Sequence, residues 1–377
     1  MRRLLPLVGA VVFVDSMFFV ALTPLLPQLG DQLGLSKAAL GVLGGAYAFG
    51  ALLGGIPSGI VAARIGVKPT MLLGLAGMTV TTVTFGFADV YWLLVAARLL
   101  QGLASVFSWT AALAWLVAAA PRGRRGELIG AAMGSAIFGA LFGPVLGAIA
   151  AETSRWLAFS SVAVLAAVLA AVAVRTPAAA PEGSQPVRLF LRPLRDRQAL
   201  IGIWLVALPG LFFGALSLLG PLRLDELGFG AAAIGATWVV AAGLEAVLAP
   251  LIGRLSDRRG RIWPLGVGLS GAVVVGALLP WPRWGLVLAG LVVLSGLTVG
   301  ALWAPAMSLV SDRAEALGLD HAYAFALVNM AWAPGAIVGP AAGGAIAQAT
   351  SDAVPYLLLS AGCALTLAWL WRSASSS

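Results

Sequence analysis

Three charged residues stand inside apolar runs: Asp15 in Val14-Asp15-Ser16-Met17-Phe18-Phe19, Arg98 in Leu94-Val-Ala-Ala-Arg98-Leu-Leu-Gln101-Gly102, and Glu245 in Gly243-Leu244-Glu245-Ala246. A charge held in lipid costs several kcal/mol unless it faces a polar interior, so each is a candidate for function. A carboxyl in a low dielectric favours its neutral form, and a nearby guanidinium favours the ionised one. At 1.5 Å per residue, Asp15 stands about 15 Å above the inner face of a ~30 Å core, and Arg98 roughly 10 Å below the outer face. Their depths differ by about 5–10 Å, within the reach of a long side chain or one water. The chemistry this allows is a proton switch at Asp15 governed by Arg98. A static salt bridge between two helices is the alternative. Glu245, nearer the inner face, reads as a second proton site, a substrate counter-ion, or an acid whose stem snorkels to the interface.

The elements that carry these residues must be membrane spans. The chain has 377 residues, 60% hydrophobic and only 10% charged, with mean hydropathy +0.99, whereas soluble domains average about 25% charged. A spanning helix needs roughly 20 apolar residues, so the length allows about twelve. Apolar runs place them near 5–29, 38–62, 69–88, 91–119, 127–151, 155–174, 199–221, 231–253, 263–281, 284–309, 321–349 and 353–371. The expected fold is all-α, with residues 1–174 as one six-helix bundle, 175–198 as a cytoplasmic linker and 199–377 as a second six-helix bundle. The linker is rich in Pro, Gly and Ser at its start and in Arg at its end, where Leu189-Phe-Leu-Arg-Pro-Leu-Arg195 suits a short amphipathic piece on the membrane surface.

The net charge of +8 fits cytoplasmic loops rather than a nucleic-acid surface. With the N-terminus inside, Lys37, Arg155, Arg223 and Arg283 fall outside, Arg98 lies within a span, and the other 18 of the 23 Lys and Arg fall inside. That asymmetry predicts a multi-pass protein of the cell membrane with both termini cytoplasmic. Met1-Arg-Arg-Leu-Leu-Pro has the look of a signal-peptide start, but Asp15 interrupts the apolar core, no clear small-residue cleavage site follows, and the segment has a repeat partner later. A single cysteine, Cys363, excludes an internal disulfide, and a single histidine, His321, argues against a His-based metal site. His321 follows Asp320, which reads as a helix cap. No phosphate loop and no nucleophile–His–acid set occurs, so neither an ATP-driven pump nor an enzyme is expected.

The two halves repeat. Phe18 and Phe19 match Phe212 and Phe213 at an offset of 194, and the same offset pairs Pro27 with Pro221, Gly34 with Gly228, Gly59 with Gly253, Arg64 with Arg258, Gly66 with Gly260, Gly102 with Gly296 and Trp109 with Trp303. Near the ends of the halves the offset becomes 196, where Gly139-x-x-x-Gly143-Pro144-x-x-Gly147 is echoed by Gly335-x-x-x-Gly339-Pro340-x-x-Gly343-Gly344. Glycines four apart share a helical face and let a neighbouring helix approach closely, while the prolines favour kinks. A constant offset over so many positions indicates internal duplication into two parallel halves.

These glycine–proline stretches resemble the signature of antiporters, drug:proton antiporters among them, in the major facilitator superfamily. Leu94-x-x-x-Arg98-x-x-Gln101-Gly102 resembles a family motif whose arginine is linked to proton transfer. Gly253-Arg-Leu-Ser-Asp257-Arg258-Arg259-Gly260-Arg261 resembles the family's cytoplasmic latch loop, and the first-half copy, Gly59-Ile-Val-Ala-Ala63-Arg64-Ile-Gly66, has Ala63 where the family usually has Asp. The resemblance covers the whole chain. It implies alternating access with Gly139, Gly143, Pro144, Gly147, Gly339 and Pro340 at a rocking interface between halves, and Asp257 as the working latch. If spans one, four, seven and ten line a cavity, its wall candidates are Phe18, Phe19, Trp109, Phe212, Phe213 and Trp303, with Asn329 and Trp332 from span eleven. Aromatic walls with a carboxylate suit a lipophilic or cationic compound. The expected function is therefore proton-coupled export of small hydrophobic or cationic compounds by a monomer in the lipid bilayer, with protons as coupling ion and no cofactor or metal. A uniporter or proton symporter for a metabolite would share the fold, and a non-transporting membrane sensor is a third reading.

Overall fold

The computed structural model describes residues 3–120, 125–177, 192–260, 262–319 and 321–375. Thirteen α-helices lie among them: α1 Leu4–Val20, α2 Leu26–Leu33, α3 Lys37–Ile65, α4 Val67–Phe87, α5 Tyr91–Ala119, α6 Arg125–Glu152, α7 Arg155–Arg175, α8 Arg197–Glu226, α9 Ala231–Arg259, α10 Ile262–Leu278, α11 Gly285–Ala316, α12 His321–Ala349 and α13 Ala353–Ser375. No strand is present among the described residues. Taking α1 and α2 as one segment, eleven helices are long and apolar enough to cross a membrane, and α10 is a shorter apolar helix of 17 residues. Large apolar side chains stand exposed all along these helices, Leu286 at 80% and Val80 at 65% among them, as expected where lipid is the solvent.

Local chemistry sets the breaks. Pro24 has no N–H to continue the α1 ladder, and the helix gives way at Val20 to a short 3₁₀ turn over Thr23–Leu25. Ser154 and Asp196 cap α7 and α8 by accepting from Leu157 N and Ala199 N. The turns after α2 and α3 hold Gly34 at φ +61° and Gly66 at φ +95°; their repeat partners Gly228 and Gly260 adopt +86° and +81°. This left-handed region suits glycine, so the duplication is visible in backbone conformation as well as in sequence.

The chain forms two compact units: Met1–Leu25 with Ala46–Val187, and Leu26–Gly45 with Arg188–Ser377. In the first, α1 packs on α6 and α5, and α4 packs on α5 and α7. In the second, α8 packs on α12 and α11, and α10 packs on α11 and α13. These pairings correspond one to one under the repeat. The second unit also holds α2 and the start of α3.

The glycine stripes explain the closest of these contacts. A Cβ on Gly139, Gly143 or Gly147 would run into the backbone carbonyls of Phe13 and Met17 on α1 and of Ala21 at its C-cap. One on Gly335 or Gly339 would run into those of Ala207 and Leu211 on α8, and one on Gly343 would press on Ala215. Each carbonyl or side chain met in the second unit lies 194 residues after its counterpart in the first. These repeating glycine faces are thus used for helix packing inside each unit. Another face of α12 carries Gly344 and Pro340, which lie against Lys37 and Gly41 at the start of α3.

Candidate functional site

Asp15, buried at 6% exposure on α1, receives a hydrogen bond on Oδ1 from the Tyr47 hydroxyl of α3 at 3.2 Å. Ser105 of α5, also buried, adjoins both groups. Arg98 of α5 is buried at 2% exposure in the same cluster, yet it makes no ion pair with Asp15. Its Nη1 donates to the Phe18 carbonyl at 3.0 Å and to Gln101 Oε1 at 2.9 Å, and its Nη2 donates to the Phe19 carbonyl at 3.1 Å. Those carbonyls lie in the last turn of α1, where the break at Pro24 takes away helical donors. Arg98 therefore caps the end of α1. Gln101 is fixed in turn by donating to Thr82 Oγ1 of α4 at 2.8 Å. The guanidinium carbon lies 4.8 Å from the centre of the Tyr47 ring, a cation–π geometry. Arg98 Nε is buried without a partner among the described residues.

Sequence reasoning reached Asp15 and Arg98 and placed them at compatible depths; it missed Tyr47, Ser105 and Thr82. A signal for Tyr47 was present. It is the one polar tip in Gly44-Gly45-Ala46-Tyr47-Ala48, and its backbone carbonyl is what a Cβ on Gly102 would strike. The glycine of the Gln101-Gly102 pair makes room for α3, and Gly50 and Gly54 of α3 do the same against Leu99 and Leu103 of α5.

The aromatic candidates divide by repeat partner. Phe18 and Phe212 are fully buried at 3% and 1%. Phe18 stacks on Phe159, with centroids 6.0 Å apart, and Phe212 fills the space beside Gly276 of α10. Both are packing residues. Phe19, Phe213, Trp109 and Trp303 are half-buried in matching fashion, with Phe19 tilted against Tyr47 at 5.3 Å. Trp109 Nε1 is buried with no acceptor among the described residues. Glu245 of α9 is half-buried, lies against Gly300 of α11, and has no hydrogen-bond or ion-pair partner among the described residues. Its repeat position is Ala51, while Asp15 and Arg98 correspond to Pro209 and Val292. The intramembrane charges are thus unequal between the units. Arg261 and the side chains of Gly253, Asp257, Arg258, His321 and Asn329 lie outside the described residues; Gly260, the remaining member of that loop motif, is the left-handed turn glycine.

Two ion-pair clusters sit at helix ends of the second unit. Lys37 Nζ lies 2.7 and 2.9 Å from the two oxygens of Asp352 and 3.8 Å from Glu226, which also receives Arg223 at 2.7 Å. Gln348 accepts from Ala38 N at 3.1 Å beside them. At Asp196, the Arg313 guanidinium binds both carboxylate oxygens through Nε and Nη2 at 2.8 and 2.7 Å. This pairing, with the bond from Ala199 N, holds the Asp196 carboxyl well below the usual carboxylate range.

The described residues form an all-helical, membrane-spanning chain in two repeated units, with a buried acid–phenol–guanidinium cluster in one, and this architecture is that of a membrane transporter rather than an enzyme. The Major Facilitator Superfamily model matches residues 8–319 and 245–377, and the chain belongs to that family. Members generally need no cofactor, and the family implies a small-molecule substrate. Over 367 residues, 96% of this chain and 94% of the relative, it is 24% identical to an uncharacterized MFS-type transporter, YcaD, of Salmonella arizonae. Over 123 residues it is 36% identical to a protein of Danio rerio described as "Probable vesicular acetylcholine transporter-B", a match covering 30% of this chain and 25% of that relative. Over 117 residues, 31% of this chain, it is 34% identical to a "Probable 4-methylmuconolactone transporter" of Cupriavidus pinatubonensis, again spanning only 27% of the relative. In fold it is similar to the nucleoside transporter NupG, with TM-score 0.77, 14% identity and coverage of 98% of both chains. It is also similar to a bacterial homologue of the lysosomal transporter Spinster, with TM-score 0.78, 16% identity and coverage of 99% of this chain and 95% of the other.

Proposed function

We propose that this transporter is a proton-coupled antiporter that exports small hydrophobic or cationic compounds by alternating access, with Asp15 as the proton carrier. The observation that carries the reading is a carboxyl buried within a span and held by a hydroxyl rather than locked in an ion pair. Such a group can change protonation without breaking a buried salt bridge. Within each unit a half-buried aromatic pair, Phe19 with Trp109 in the first and Phe213 with Trp303 in the second, offers stacking surface for a lipophilic substrate, and Glu245 of the second offers a carboxylate for a cation. The vesicular relative is named for a small organic cation, which agrees with this chemistry. In the proposed arrangement the protein is a monomer in the inner membrane with both termini cytoplasmic, and residues 175–198 link two six-helix halves. Asp257, Arg258 and Arg261 are its cytoplasmic latch.

The test is transport in liposomes containing a pH-sensitive dye. A panel of lipophilic cations, tetraphenylphosphonium and ethidium among them, and neutral lipophilic compounds is offered to wild type and Asp15→Asn under an imposed proton gradient. Proton flux that depends on an added compound and is lost in Asp15→Asn supports antiport through Asp15. Flux that survives in the variant moves the carrier to Glu245 or elsewhere. Compound movement without proton flux in either protein leaves a uniporter.

A further inference from the structure

The cluster around Asp15 contains a residue that neither the repeat nor the family resemblance singles out. We propose that Tyr47 is the positioning residue of the proton site, holding the Asp15 carboxyl by its hydroxyl and the Arg98 guanidinium against its ring, so that acid and cation act on each other without closing into an ion pair. The inference rests on the reading of Asp15 as a proton carrier.

Three observations converge on it. The Tyr47 hydroxyl is 3.2 Å from Asp15 Oδ1, and its ring centre is 4.8 Å from the Arg98 guanidinium carbon, so a single side chain contacts both charges. Tyr47 is itself buried at 3% exposure, where a phenol needs a partner for its hydroxyl. Its place is set by backbone rather than by a flexible side chain: α3 is pressed onto α5 at Gly102, Gly50 and Gly54, where any Cβ would meet main-chain atoms of the other helix.

The arrangement also explains why Arg98 does not turn to Asp15. Its two terminal nitrogens are engaged by the Phe18 and Phe19 carbonyls and by Gln101. Those contacts aim the guanidinium at the end of α1 and lay it against the phenol. A direct buried pair would be strongly resisted from opening, which would freeze a group that must exchange a proton in each cycle. With the phenol in contact with both, the acid feels the cation through a polarisable ring and a hydrogen bond. Among the described residues, Tyr47 on α3 and, through it, Arg98 on α5 are the ionisable groups brought to Asp15.

The experiment needs no substrate. Infrared difference spectra between acid and alkaline buffer are recorded on the purified full chain in lipid, and the Asp15 carbonyl band is identified by its loss in Asp15→Asn. In Tyr47→Phe the ring under Arg98 remains and only the donor is removed, so the band is expected at higher frequency, because a carbonyl that loses a hydrogen bond stiffens. Difluorotyrosine placed at position 47, a stronger donor of the same shape, should move the band to lower frequency, and it serves if the phenylalanine variant does not fold. A band that stays in place in both overturns the role of Tyr47 while leaving Asp15 as carrier. The absence of any band that Asp15→Asn removes overturns the carrier reading, and the role of Tyr47 with it.

Discussion

Both carboxylate oxygens of Asp352 hold the ammonium of Lys37, at 2.7 and 2.9 Å, which ties the first residue of α3 to the start of α13. Glu226 at the end of α8 completes the cluster. All three side chains are partly exposed, so the pair contributes less than about 1 kcal/mol to global stability. Its effect should be local. Asp352→Asn is expected to leave the melting temperature almost unchanged but to speed amide hydrogen exchange severalfold over residues 37–41, measured by mass spectrometry. The charge-exchanged double variant Lys37→Asp with Asp352→Lys should restore protection.

Glycine at 143 is required by the carbonyl of Met17 facing it, whereas Gly134 on the same helix has open space where its Cβ would be. Gly143→Ala is therefore expected to destabilise by about 1–3 kcal/mol, as overpacking does. Gly134→Ala should stabilise by roughly 0.5–1 kcal/mol through helix propensity. Gly339→Ala should behave like Gly143→Ala, because Leu211 stands where Met17 does. Thermal unfolding in one detergent would separate them, and an unchanged Gly143→Ala would refute the close approach of α1 and α6.

Arg98 is expected to tolerate no cation of a different shape. A lysine cannot reach both freed carbonyls and Gln101 at once. Leaving a buried carbonyl unsatisfied costs about 1–3 kcal/mol, so Arg98→Lys should lower the unfolding midpoint even though the charge is kept. An equal midpoint for Arg98→Lys and wild type would mean that the cap on α1 contributes nothing.

The aromatic pairs should separate by role. Phe18→Ala and Phe212→Ala remove buried rings and are expected to cost about 3–5 kcal/mol each. Phe19→Ala and Phe213→Ala should cost less stability and instead change which compounds of the liposome panel are carried. The stability difference is read by thermal unfolding and the selectivity by proton flux.

Asp196 makes the stability of the α8 N-terminus pH-dependent. Its carboxyl is held down by Arg313 in the folded chain, so the pairing stabilises the fold above the unfolded carboxylate value of about 4 and is lost as pH falls below it. The drop in melting temperature caused by Asp196→Asn should be constant from pH 8 to pH 5 and should vanish only in stronger acid, where both chains carry a neutral side chain. A difference that shrinks near neutrality would contradict the bidentate pair.

The amino-acid sequence by itself determined that lipid is the solvent, where the spans fall, that the halves repeat, and which charges lie among apolar residues. These follow from composition, run length and spacing, properties that one chain carries without knowing its neighbours. The offset of 194 paired Gly34 with Gly228 and Gly66 with Gly260, and the structure adds that each pair shares a left-handed backbone conformation. The partners belonged to the tertiary structure. Depth along the membrane normal made Asp15 and Arg98 compatible, but only the packing of α3 on α5 put Tyr47 in contact with both, and only the break in α1 offered Arg98 two carbonyls in preference to a carboxylate. The glycine faces were legible as close-approach surfaces, yet their partner, α1 or α8 in the same unit, was not. Helical periodicity says which residues share a face; what that face meets depends on how the helices are arranged around one another, which no spacing within a single helix encodes.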